Sequence, residues 1–319
     1  MSNKDESKVS GLRIVFFGTP DFAVASLKAL IEAGFSVVAV VTAPDKPAGR
    51  GMQLQQSAVK KFATLHGIPV LQPVKLKNPE FLEELRSYKA DLQVVVAFRM
   101  LPEEVWNMPP LGTINVHASL LPQYRGAAPI NWAIINGETQ TGVTTFRLKH
   151  EIDTGDMLLQ DTLAIGPHET AGELHDRMKE AGANLLVKTL HALQNNTLIA
   201  TPQPQEGIIL KHAPKIFTET CRIEPTKTCL EVHNLIRGLS PFPGAFYWID
   251  GKMLKIFRSI PATDKPANTA PGSFFTDGKT RLSLACADGW LDLLELQLEG
   301  KKRMSTADFL RGYRLKSAG

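Results

Sequence analysis

Two polar side chains, Asn115 and His117, close the run Thr113-Ile114-Asn115-Val116-His117. A strand puts residues two apart on the same face, so the amide and the imidazole point together. The amide offers an N–H donor, and the imidazole donates a hydrogen bond or carries a proton. Such a pair suits acid–base work on a polar bond. The competing reading is structural: the two side chains merely finish the hydrogen bonding of a strand end. A carboxylate, Asp153, lies further on in Glu151-Ile152-Asp153-Thr154-Gly155-Asp156. Taken alone, it reads as a turn residue beside Thr154-Gly155.

The flanking pattern says what must position these groups. Leu12 to Phe17 reads as a buried strand, and Thr19-Pro20 as a helix N-cap followed by proline at the first helical position. Val24, Leu27, Leu30 and Ile31 recur at helical spacing, Gly34 stops the helix, and Ser36 to Val41 is the next apolar run. That is a βαβ unit. Gln93 to Ala97, Thr113 to His117 and Val143 to Leu148 read as further buried strands. The α/β alternation predicts an open parallel sheet with covering helices, whose carboxyl ends, where Asn115 and His117 emerge, are where ligands sit. Thr170 and Glu173 form a capping box ahead of Leu174, Met178, Leu185, Leu186 and Leu190, so a long amphipathic helix follows, with His175 and His191 solvated on its polar face.

The pattern then changes. Residues 195–213, with Pro202 and Pro204, read as a linker, and a short helix is expected over Thr226 to Leu239. Beyond it, Asp250-Gly251, Asp277-Gly278 and Asp288-Gly289 punctuate apolar strands as hairpin turns. A small antiparallel β-barrel of the five-stranded oligonucleotide-binding (OB-like) type fits that spacing. The expected domains are 1–194, a linker over 195–213, and 214–319.

Composition narrows the class. With 43% hydrophobic and 21% charged residues the 319-residue chain is globular, and its length suits two domains. Cys221, Cys229 and Cys286 are too few for a disulfide framework and include no CxxC pair, so reduced, buried thiols and no metal are expected. The polar start MSNKDESKVSG lacks the apolar stretch of a secretory signal, and nothing approaches the ~18 apolar residues of a membrane span, which predicts a cytoplasmic protein with no membrane association. Residues 214–319 hold 16 Lys/Arg against 11 Asp/Glu, net +5, which leaves −1 for the remaining 213 residues of a chain with net charge +4. The C-terminal excess is compatible with an RNA partner, although a solvated basic face is the commoner cause.

The run NVHASLLPQYRGAAPINW, together with the DTGDM segment at Asp153 to Met157, resembles the signature of the 10-formyltetrahydrofolate-dependent formyltransferases. The opening FFGTPDFA, the loop from Thr42 to Gly51 and the late segment Arg237 to Ala245 extend the resemblance over almost the whole chain, toward those members that act on tRNA. It implies a Rossmann-like catalytic domain joined to a small β-barrel. It also implies a catalytic set of Asn115, His117 and Asp153, with Asp153 orienting His117 or relaying a proton. The folate donor, 10-formyltetrahydrofolate, would lie near Ser119, Leu120, Leu121 and Pro122 and against Phe98, Arg99, Met100 and Leu101. Arg99-Met100-Leu101 is itself similar to the glycinamide ribonucleotide branch of the superfamily. Lys46 and Arg50 would reach the tRNA acceptor end, with Lys215, Lys301, Lys302 and Arg303 as further phosphate contacts. The implied acceptor is initiator methionyl-tRNA and the implied state a monomer.

Two other classes fit less well. A nicotinamide dehydrogenase needs a GxGxxG turn, and Gly18-Thr19-Pro20-Asp21-Phe22-Ala23 lacks it. A pure RNA-binding module would leave Asn115, His117 and Asp153 idle. Within the superfamily the other acceptors are glycinamide ribonucleotide, a nucleotide amino sugar, or water.

Overall fold

The computed structural model describes residues 11–48, 53–204, 207, 209–262 and 269–315. The chain divides into two units. The first comprises 1–125, 142–163 and 176–211, and the second 126–141, 164–175 and 212–319. The second unit therefore takes in two segments that lie well before residue 195, whereas the sequence suggests two consecutive domains joined by a linker over 195–213.

The first unit is built on β1 (Arg13–Gly18), α1 (Asp21–Glu32), β2 (Ser36–Val41), β3 (Val70–Leu71), β4 (Leu92–Val96), β5 (Thr113–His117), β6 (Gln140–Arg147) and β7 (Met157–Ala164). The strand order is β7-β6-β5-β4-β1-β2-β3. Neighbours from β5 through β3 pair in parallel, with Asn115 opposite Val95 on β4. The expectation of a wholly parallel sheet is corrected at β6, which runs antiparallel to β5 and pairs Asn115 with Phe146 and His117 with Thr144. Apolar runs announce buried strands, but their direction depends on how the connection returns, and that is a tertiary matter.

Phe16, Phe17, Ile14, Ile114 and Phe146 are fully buried, each contributing roughly 1.5–3 kcal/mol through burial. Val15, Phe17, Val41, Val95 and the residues Phe81 and Leu85 form one core layer on this sheet. Helix α1 begins at Asp21, with Pro20 at the N-cap and no side-chain cap, so Thr19 does not cap it as the sequence suggests. The long helix, α2 (Ala171–Gln194), carries the expected box: Thr170 N–H donates to Glu173 Oε2 at 2.9 Å and Glu173 N–H to Thr170 Oγ1 at 3.3 Å. His191 is exposed and His175 half-buried.

In the second unit, α3 (Cys229–Gly238) stands against an antiparallel sheet made by β8 (Ala245–Ile249), β9 (Lys252–Pro261), β10 (Phe274–Thr276), β11 (Leu282–Ala285), β12 (Trp290–Leu298) and β13 (Met304–Ser305). The pairing path runs β8-β9-β12-β11-β10, with β13 on β12, and does not close among the described residues. All three Asp-Gly pairs fall between strands. Asp250 and Gly251 both take positive φ, 49° and 78°, as the two-residue turn joining β8 to β9 requires. Cys221, Cys229 and Cys286 form no disulfide with one another; Cys221 and Cys286 are buried and Cys229 is only half-buried. No helix among the described residues is long and apolar enough to cross a membrane.

Candidate active site

Strand β5 delivers its two polar side chains at its carboxyl end, as the alternation predicts. Asn115 is half-buried and His117 is 7% exposed. His117 Nε2 lies 2.9 Å from Tyr124 O. A carbonyl can only accept, so Nε2 carries the hydrogen, and Nδ1 is the nitrogen left to exchange a proton. Nδ1 faces Asp153, whose Oδ2 is 3.8 Å away. That is longer than a direct hydrogen bond and short enough for a small closure or one water to complete. The Phe146 ring meets the imidazole edge-on, with centroids 6.4 Å apart, and closes its apolar side.

Asp153 owes its place to its loop. It adopts φ 55°, a left-handed conformation that Asp tolerates better than most residues. Gly155 is required beside it, because a Cβ there would fall 1.6 Å from Arg147 O. Gln203, buried at 5% exposure, donates its amide hydrogens to Asp153 O at 2.7 Å and Gly155 O at 2.8 Å. Its Oε1 accepts from Arg125 Nε at 3.1 Å and Nη2 at 2.6 Å. One buried amide therefore ties the Asp153 loop to Arg125, the residue after the one whose carbonyl orients His117. Nothing in the sequence singles out Gln203, which sits between Pro202 and Pro204 in the stretch that reads as a linker.

The loop after β5 is fastened from β6. Thr144 Oγ1 donates to Ser119 O at 2.7 Å and accepts from Leu121 N–H at 3.2 Å and from Gln160 Nε2 at 2.9 Å. Ser119 Oγ donates to Gln123 O at 2.6 Å, and Ser119, Leu121 and Pro122 are buried, while Leu120 keeps an open side. On the neighbouring loop Leu101 is buried, Phe98 sets its ring edge-on to Phe17 at 5.6 Å, and Met100 is 70% exposed. Arg99 donates to Val74 O at 2.9 Å and to Pro73 O, so its guanidinium is a backbone clasp and not a salt-bridge partner. A 910 Å³ hollow shares Arg99, Met100 and Leu101 but is lined by none of Asn115, His117 and Asp153. It lies off the chemistry.

The remaining cations scatter. Lys46 is exposed at the start of a short ladder of 46–48 with 53–55, and Arg50 lies outside the described residues. Lys215, Lys301 and Lys302 are exposed in the second unit. Arg303 is engaged at both ends of its fork by Glu295, at 2.6 and 2.7 Å, and lies 4.2 Å from the centroid of the Phe257 ring.

Strand β5 thus presents an imidazole 3.8 Å from a loop carboxylate, with an amide two residues earlier on the same strand, and likeness to known proteins gives the class. Residues 12–190 match the formyl transferase family and residues 215–314 the formyl transferase C-terminal domain. The chain belongs to the formyl transferase family. Members of that family draw the formyl group from formyl-tetrahydrofolate. The chain is 51% identical over 318 residues to a methionyl-tRNA formyltransferase of Bacteroides fragilis, covering 98% of each, and 52% identical over 316 residues to one of Parabacteroides distasonis, covering 96% and 97%. Among solved structures it resembles an N-formyltransferase from Helicobacter canadensis in complex with folinic acid and dTDP-3-aminofucose, with TM-score 0.67 and 22% identity over 92% of this chain and all of that one. HypX from Aquifex aeolicus in complex with tetrahydrofolic acid gives TM-score 0.65 and 20% identity, over 94% of this chain and 47% of HypX. These two likenesses are of fold.

Proposed function

We propose that the chain moves the formyl group of 10-formyltetrahydrofolate to the α-amino group of methionyl initiator tRNA. The observation that carries this reading is the His117–Asp153 pair, with Asn115 two residues before His117 on the same strand, in a chain about half identical, along nearly its whole length, to proteins named for that reaction. An α-amino group has a reference pKa of ~7.7 to 8.0, so a useful fraction is neutral near pH 7 and needs no strong base. Its nitrogen attacks the formyl carbon, and the carbonyl oxygen becomes an oxyanion. Asn115 supplies an N–H donor for that oxygen. The carbon–nitrogen bond to the folate then breaks, the attacking amine loses a proton and the departing nitrogen gains one. His117 Nδ1 and Asp153 carry that transfer, with Nε2 tied to Tyr124 O so that the ring cannot turn.

In this reading 1–194 is the catalytic domain, 195–213 the linker, and 214–319 an OB-like tRNA-binding domain. The enzyme works as a cytoplasmic monomer without metal. The folate lies between Ser119 to Pro122 and Phe98 to Leu101. Lys46, Arg50, Lys215, Lys301, Lys302 and Arg303 contact tRNA, Arg303 less than its neighbours because Glu295 already occupies its fork. The test offers radiolabelled formyl donor with charged initiator tRNA, charged elongator tRNA, glycinamide ribonucleotide, a nucleotide amino sugar, and buffer. Label on initiator methionyl-tRNA alone is expected. Label on a small amine, or free formate in buffer, overturns the acceptor.

A further inference from the structure

The second unit holds a groove of 650 Å³ that the chemistry above does not use. Two of its lining side chains are aromatic rings open to solvent, Phe217 at 58% exposure and Phe242 at 80%. Its deeper lining includes Cys221 and Phe246, at 4% and 6%. Lys215 and Lys255 supply the charge, and among the described residues no Asp or Glu lines the groove. Both cations are steadied. Lys215 Nζ lies 5.6 Å from the Phe217 ring centroid, and Lys255 Nζ donates to Pro243 O at 2.9 Å. Trp132 Nε1 donates to Pro214 O at 2.8 Å, which fixes the backbone just before Lys215.

Leaving two phenylalanines open to water costs free energy that a ligand would recover. A purely apolar ligand would leave both lysines without counter-charge, and a simple anion would leave the rings bare. A flat π-system attached to a phosphate satisfies both, through base–aromatic stacking beside a cation. We propose that this groove binds an unpaired nucleotide of an RNA partner, its base stacked on Phe217 or Phe242 and its phosphate beside Lys215 or Lys255. The proposal rests on the RNA-acceptor reading above and adds a nucleotide subsite to it.

The test uses the full chain and a single-stranded RNA pentanucleotide with a central 2-aminopurine, whose fluorescence is quenched on stacking. The wild-type protein is expected to quench it saturably. The Phe217→Ala, Phe242→Ala double variant is expected to weaken binding roughly ten-fold or more. Lys215→Gln is expected to reduce the dependence of log affinity on log salt by about 0.7. Both aromatic positions are exposed, so the variants should fold, and circular dichroism checks that. Absence of quenching, or equal quenching by the double variant, overturns the groove even if wild-type protein formylates initiator tRNA. Quenching that the double variant loses supports the groove even if the formylation assay assigns another acceptor, so the two readings fail separately.

Discussion

Asn115 tests the oxyanion assignment most directly, because an amide that donates only to developing charge contributes little to the ground state. Loss of one such donor costs typically ~10² to 10³ in rate. Asn115→Ala should therefore lower kcat by that factor while the thermal midpoint stays within a few degrees of wild type. A variant that folds and keeps near-normal turnover removes Asn115 from the catalytic set; the same assay applies to His117→Ala and Asp153→Ala. Gln203 makes a different kind of prediction. It touches no reacting atom and acts by holding the Asp153 backbone. Gln203→Glu keeps an acceptor for Arg125 but cannot donate to Asp153 O or Gly155 O. The buried Gly155 carbonyl then loses this donor, at about 1–3 kcal/mol of stability, and the partly buried Asp153 carbonyl loses it at a smaller cost. If Gln203 positions Asp153, kcat also falls in fully folded protein at low temperature, with KM for the folate unchanged. A purely structural role would leave kcat intact there.

Among the elements, α2 and α3 offer two tests. Thr170→Ala removes the capping oxygen of α2 and should cost ~1 kcal/mol, read from the denaturant midpoint. On α3, His233 is 3% exposed, and burial, foremost, lowers its pKa to about 4, with Arg237 and His168 nearby adding to the effect and a bond to Pro167 O opposing it. The folded state thus binds this proton less readily than the unfolded state, whose reference value is ~6.5. Above that value both states are neutral at this site and it contributes nothing to pH dependence. As pH falls from about 6.5 toward about 4, the unfolded state gains the proton first, and stability drops by up to ~1.4 kcal/mol per pH unit. Urea titrations at pH 7 and pH 5 should show that drop in wild type and a smaller one in His233→Asn. An equal drop in both removes His233 as the cause.

For the molecule as a whole, the net +5 of residues 214–319 bears on association. Neutralising phosphates releases counterions, so each lost contact reduces the salt slope of RNA affinity by about 0.9 on duplex. Replacing Lys301 and Lys302 together with alanine should lower that slope by roughly 2 and weaken binding alike for different tRNA sequences. Arg303→Ala should instead lower stability, since it breaks the two-pronged contact with Glu295 and uncovers the Phe257 ring. A salt slope that the double lysine variant leaves unchanged would place the RNA elsewhere.

Much of this protein can be read locally. The alternation from Thr113 to His117 put Asn115 and His117 on one face. The buried runs named five of the seven sheet strands, missing the two-residue β3 and the mostly open β7, the Thr170 and Glu173 pair marked the start of α2, and Asp250-Gly251 marked a hairpin. Each is set by neighbours a few residues away, so linear spacing suffices. The antiparallel return of β6 was not legible, because an apolar strand reads the same in either direction. Nor was the clasp by Arg99 on Pro73 and Val74, or the work of Gln203, 50 residues beyond the Asp153 carbonyl it holds. A buried hydrogen bond between distant segments leaves no period or motif behind it. What the sequence by itself determined is which groups the protein has and how each short segment folds. Only the tertiary structure decided that His117 presents Nδ1 to Asp153, since that orientation depends on a carbonyl, a buried amide and a left-handed turn converging in space.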